Sequence, residues 1–156
     1  MPFGWGRKAG TAAALAGAAA IVSACVSVPE TPQAEAEAEA PDPRAVCHAL
    51  FDADAGLQAE LMRAGSDGYA LCACYAAEHA ALDPDGQANM LALSIRLIEL
   101  RAAKGFTTVE EAVELMEDDQ DGSQYGFPWE RLKAGGEPIE EAILRARRDP
   151  NGCTAS

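Results

Sequence analysis

The chain has 156 residues, with 12 basic and 25 acidic side chains and a net charge of −13, so nucleic acid and anionic membrane faces are poor partners. Its 49% hydrophobic and 24% charged residues are too apolar a mixture for a fully disordered chain, and the length suits one domain with a tail. Alanine inflates the apolar share while burying little surface per residue, so the core is expected to be thin.

Residues 1–25 read MPFGWGRKAGTAAALAGAAAIVSAC. Arg7 and Lys8 make a positive start. Ala9 to Val22 form an alanine-rich apolar stretch of about 14 residues, short of the ~20 that a permanent bilayer-spanning helix needs. Two small residues, Ser23 and Ala24, then precede Cys25. The run Val22-Ser23-Ala24-Cys25 resembles the lipobox of bacterial lipoproteins, in which an aliphatic residue and two small ones stand before the modified cysteine. The resemblance covers the leader alone. It implies cleavage before Cys25, a diacylglycerol on its sulfur and a fatty acid on the new amine. An ordinary secretory signal cut after Ala24 would instead leave a free thiol. Several acyl chains bury enough methylenes for lasting attachment to a bilayer, which would then be one partner of this chain. Val26, rather than aspartate, follows the cysteine. In enterobacterial lipoproteins that favours the outer membrane, facing the periplasm, over inner-membrane retention.

Without residues 1–24 the chain keeps 132 residues, 10 basic and 25 acidic, a net charge of −15. Residues 25–43 read as a tether. They carry Pro29, Pro32, Pro41 and Pro43, and the like charges of Glu35, Glu37 and Glu39 repel one another, so a solvated spacer is predicted. Stretched out, it reaches at most about 60 Å.

From residue 44 to residue 156 the apolar spacing is helical, with almost no alternating pattern. An all-α fold is therefore predicted, a small bundle of about six short helices. The first two span about Arg44 to Phe51 and Ala55 to Arg63. A third begins at Asp67, ends near Leu82 and carries Cys72 and Cys74. Asp83-Pro84 starts a helix that stops at Gly105, by the preference for a capping side chain, proline in the first turn and glycine past the end. Its outward stripe is Ala92, Arg96, Glu99 and Ala103. Met90, Leu91, Leu93, Leu97, Ile98 and Leu100 cover much of the remainder, as in the central helix of a bundle. Arg101 falls within that apolar arc and is expected to snorkel at the helix end. Thr108 and Glu111 fit a capping box opening a helix to about Asp118. Pro128 and Pro138 suit the first turns of two further short helices, ending near Lys133 and Arg148.

Cys47, Cys72, Cys74 and Cys153 are an even set, which in an oxidising periplasm points to two disulfides stapling a thin core. Residues two apart on a helix point away from each other, so Cys72 and Cys74 are not expected to pair. Each then reaches either Cys47 or Cys153, and both arrangements stay open. A redox Cys72-Ala73-Cys74 lacks a βαβ context and a nearby cation. A metal site made of Cys47, His48, Cys72, Cys74 and His79 is disfavoured, because seven residues along a helix separate Cys72 from His79 by about 10 Å.

Seven acids and no base lie between Glu110 and Asp121. Asp119-Gln120-Asp121-Gly122 has part of a calcium-loop pattern, but Gln124 and Pro128 stand where an apolar residue and the closing glutamate belong. A solvated helix end is the better reading. Tyr125, Phe127 and Trp129 crowd into five residues, either as a non-helical arm over the core or as a docking surface, since Trp and Tyr dominate binding hot spots.

No G-x-S-x-G, glycine-rich phosphate loop or H-E-x-x-H occurs, and no cofactor or metal is called for. The function expected is a lipid-anchored, non-enzymatic binding module of the bacterial cell envelope, with a protein or envelope component as its partner. The alternative is an envelope enzyme or metal-handling protein that uses acidic or Cys/His residues.

Overall fold

The side chain of Asp42 accepts a hydrogen bond from the Arg44 amide and Pro43 occupies the first turn, so the chain enters helix α1 (Pro43–Phe51) one residue before the predicted boundary. The computed structural model describes residues 40–153. The leader, Cys25 and residues 26–39 of the tether lie outside the described residues. After α1 come α2 (Ala55–Arg63), α3 (Gly68–Ala81), α4 (Pro84–Lys104), α5 (Val109–Glu117) and α6 (Trp129–Arg148). There is no strand among the described residues. No helix among them is long and apolar enough to cross a membrane.

Short aspartate and threonine side chains start most of these helices. Asp54, Asp67 and Asp83 each accept from an amide two or three residues into the helix they cap, which satisfies donors that the helix itself leaves unpaired. The capping box of Thr108 and Glu111 is formed in both directions. Such caps fix where helices begin. Which faces turn inward is decided by burial.

α4 packs against α1, α5 and α6, and α3 against α1 and α6. Leu50, Leu71, Met90, Leu93 and Leu97 are essentially sealed from water. The Tyr75 hydroxyl, also buried, lies 2.7 Å from Ser94 Oγ, which donates to the Met90 carbonyl at 2.9 Å. Both hydroxyls of this buried pair have a partner, and burial pushes the Tyr75 phenol above its ordinary value.

Two disulfides cross the bundle. Cys47 bonds Cys72, joining α1 to α3, and Cys74 bonds Cys153, joining α3 to the segment beyond α6. The choice left open by the sequence follows from the position of α3 between α1 and α6. Cysteines two residues apart look out from opposite sides of that helix, so each meets a different neighbour.

Two local expectations are corrected. The pair of short helices broken at Pro138 is one continuous helix, α6, with Pro138 inside it. An internal proline removes one hydrogen bond and costs about 3 kcal/mol. Against that, Leu132, Gly135, Ile139, Ala142 and Ala146 form one unbroken buried face, three of them beyond the proline. Burial along the whole face outweighs the local break. Pro128 precedes this helix as its cap residue, so Trp129, placed by the sequence in a non-helical arm, is its first residue.

Arg101 does not snorkel. It is only 8% exposed, and its guanidinium donates to the Leu50 carbonyl at the end of α1 and, at 3.1 Å, to the Thr107 carbonyl ahead of α5. The α1 carbonyl and the loop before α5 both lack intrahelical partners, so a planar, multi-donor cation between them is held inward.

Candidate functional site

The α5–α6 side of the bundle is built from its ends. Asp54, 5% exposed, uses both carboxylate oxygens: Oδ1 accepts from Leu57 N at 3.0 Å and Oδ2 from Val109 N at 2.9 Å. One side chain thus starts α2 and holds the first residue of α5 beside it. Arg101 ties the same junction to the end of α1. At the other end, the Asp119 carboxylate accepts from the amides of Gln124 and Tyr125 at 3.0 and 2.7 Å, and Trp129 N donates to the Gln120 carbonyl at 3.0 Å. Gly122 makes that loop possible. Its φ is +70°, and a Cβ there would stand 2.3 Å from the Pro128 nitrogen.

Between these anchored ends α5 and α6 stay apart, leaving a cleft of about 790 Å³. Leu93 and Leu97 of α4, sealed from water, lie beneath its floor. Half-buried Val109 and Val113 of α5 make one wall and half-buried Ile143 and Leu144 of α6 the other, with Leu132 and Ile139 buried at its base. Phe51, Asp54 and Leu57 close one end. A hollow with apolar walls and a few polar groups at its margin is the usual form of a binding site.

The margin is acidic. Glu110, Glu114 and Glu117 line the α5 side, and Glu137 and Glu140 the α6 side. Two cations share it, and both are engaged: Lys133 lies 3.8 Å from Glu137, and Arg147 pairs with Glu60 of α2. Among the described residues Glu110, Glu114, Glu117 and Glu140 have no ion-pair partner. The lining thus combines apolar side chains with a frame of negative charge.

The three crowded aromatics separate. Phe127 is buried, with the Arg131 guanidinium 4.7 Å from its ring centroid. Tyr125 is half-buried beneath Arg96, 5.9 Å from guanidinium carbon to ring centroid, and Arg96 also donates to the Tyr125 carbonyl. That covers part of the expected outward stripe of α4. Trp129 lines the cleft and remains 39% exposed.

The remaining candidates lie elsewhere. Among the described residues all four cysteines, Cys47, Cys72, Cys74 and Cys153, are in disulfides and not in the thiolate form that binds a metal. His48 Nδ1 is 3.1 Å from Asp52, and its ring meets Tyr69 edge-on at 5.4 Å. His79 has an enclosed Nε2 with no partner, and desolvation lowers its pKa. No group of three or more His, Cys, Asp or Glu side chains among the described residues is placed to hold one ion. In the calcium-like run Asp119 and Asp121 bind their own loop, Asp121 accepting from Ser123 N at 3.0 Å.

Sequence reasoning missed the cleft. Its signal was present in α5, where Val109, Val113 and Met116 alternate with Glu110, Glu114 and Glu117 as two adjoining helical stripes. That the apolar stripe is only partly covered depends on where α6 lies. No protein-family model matches this chain, and no curated protein or solved structure matches it either.

Proposed function

We propose that this chain is a lipid-anchored protein of the bacterial envelope whose helical module binds a partner in the α5–α6 cleft and performs no chemistry of its own. The cleft carries the binding half of this reading: it has apolar walls and an acidic margin, and its two cations, Lys133 and Arg147, are each paired with a glutamate. The anchoring half is supported by Arg7, Lys8, the apolar stretch and Val22-Ser23-Ala24-Cys25. Disulfides suit an oxidising compartment. The prolines and like charges before residue 43 suit a spacer that keeps the module off the lipid surface.

Intact-mass measurement on the protein from its native host tests the anchor. The expected species lacks residues 1–24 and carries acyl mass on Cys25. A chain starting at Met1, or one starting at Cys25 with no added mass, would overturn it. Metal analysis with thiol counting separates this reading from that of a metal-handling protein: two disulfides and no stoichiometric metal are expected, and free thiols with stoichiometric metal would overturn it.

A further inference from the structure

We propose that the occupant of the cleft is one amphipathic helix of a partner protein, its apolar stripe bordered by lysines and arginines. This rests on reading the module as a binding protein and adds the chemical class of what it binds.

Shape comes first. Along α6 the lining runs from Trp129 to Arg147, about 27 Å at the ordinary helical rise, and along α5 from Val109 to Glu117, about 12 Å. A helix laid in the cleft therefore has both walls over about eight residues and α6 alone beside the rest. The walls are two helices and the floor a third, an arrangement that receives the apolar face of another helix between them. The volume of about 790 Å³ accepts a row of side chains and leaves the polar face of the occupant outside.

Charge then selects the partner. Glu110, Glu114 and Glu117 stand at helical spacing along one lip, with Glu140 on the other, and none is neutralised by a neighbour. Cations at the same spacing on an incoming helix meet them. This complementarity steers encounter and rejects acidic competitors. The other candidate occupants carry the wrong sign. A second copy would bring the same glutamates to an isologous interface. The chain's own residues 26–43 hold Glu30, Glu35, Glu37 and Glu39 and no base. Anionic phospholipid is repelled in the same way.

The test uses the full chain carrying Trp5→Phe and Cys25→Ala. These changes leave Trp129 as the one tryptophan and remove the acylation position. The probe is a synthetic 18-residue helix with leucine at a, d and e positions and lysine elsewhere, compared with its glutamate counterpart. The lysine peptide is expected to shift Trp129 emission to the blue and saturate. The glutamate peptide should bind at least tenfold more weakly. Glu114→Lys with Glu117→Lys, both exposed and outside the core, should lower affinity for the lysine peptide at least tenfold without moving the thermal midpoint. Raising salt from about 0.05 to about 0.5 M should weaken binding several-fold.

Equal affinity for both peptides, or no response to either, overturns the proposal. So does a Trp129 shift produced by phosphatidylcholine vesicles that the lysine peptide cannot reverse, or a sedimenting dimer whose formation excludes the peptide. If the peptides fail while acylation of Cys25 is found, the occupant is wrong and the anchor stands. If the peptide binds and Cys25 is unmodified, the reverse holds.

Discussion

Val109 N sits 2.9 Å from Asp54 Oδ2, across 55 residues of chain. The other oxygen of that carboxylate caps α2, so a single side chain sets the relation between the second helix and the fifth. It also closes one end of the cleft. Asp54→Ala removes the acceptor of two amides. Loss of a cap costs about 1 kcal/mol and a stranded, part-buried amide about 1–3 kcal/mol more, so a total near 2–4 kcal/mol is expected in urea unfolding. Asp54→Asn keeps an oxygen for one amide only and should fall between. Equal stability of all three proteins would show that this contact does not hold α5.

The two disulfides close separate stretches of chain, 25 residues between Cys47 and Cys72 and 79 between Cys74 and Cys153. Loop-closure entropy assigns them about 3.5 and about 4.5 kcal/mol. Replacing Cys74 and Cys153 together by alanine should therefore lower the urea midpoint more than replacing Cys47 and Cys72. The effects should nearly add, because neither loop contains the other. The opposite order would mean that the denatured chain keeps structure around α3.

Gly135 and Gly136 are neighbours on α6 with opposite surroundings. A Cβ at Gly135 would meet Leu93 Cδ2 at 3.0 Å and Asn89 Nδ2 at 3.1 Å, whereas one at Gly136 meets nothing within 4 Å. Alanine at 136 should stabilise by about 0.5–1 kcal/mol through helix propensity alone. At 135 the same gain opposes an overpacking cost of about 1–3 kcal/mol, so the net result should be a loss. Thermal midpoints moving in opposite directions are the expected observation. Two rises of equal size would show that α6 does not lie this close to α4.

Glu111 accepts from the Thr108 and Thr107 amides at 3.0 and 2.9 Å, and these bonds, that to Thr108 first, hold its carboxyl below its ordinary value of 4.5. Folding therefore favours the ionised form. The stabilisation is complete above 4.5 and is lost as pH falls through the lowered value. Amide exchange in residues 112–116 should accelerate as pH drops from about 5 to about 3, after correction for intrinsic rates. Glu111→Gln should flatten that dependence. Asp121, held down chiefly by the Ser123 amide, titrates in the same direction, but its loop lies beyond the other end of α5.

Helix starts were legible because a cap involves residues two to three apart: Asp83 with Gly86, Thr108 with Glu111. The helical class was legible because a buried face repeats along its own chain, and two bridges followed from counting cysteines. Three matters required the folded arrangement. Cys72 took Cys47 and Cys74 took Cys153 only because α3 lies between α1 and the end of the chain. α6 ran through Pro138 because a face spread over 15 residues is buried together, and Arg101 turned inward to carbonyls 51 and 6 residues away. The cleft belongs with these. Local spacing assigns each residue to a stripe, but whether a stripe is covered depends on a helix from elsewhere in the chain, placed by the competition among all buried faces at once.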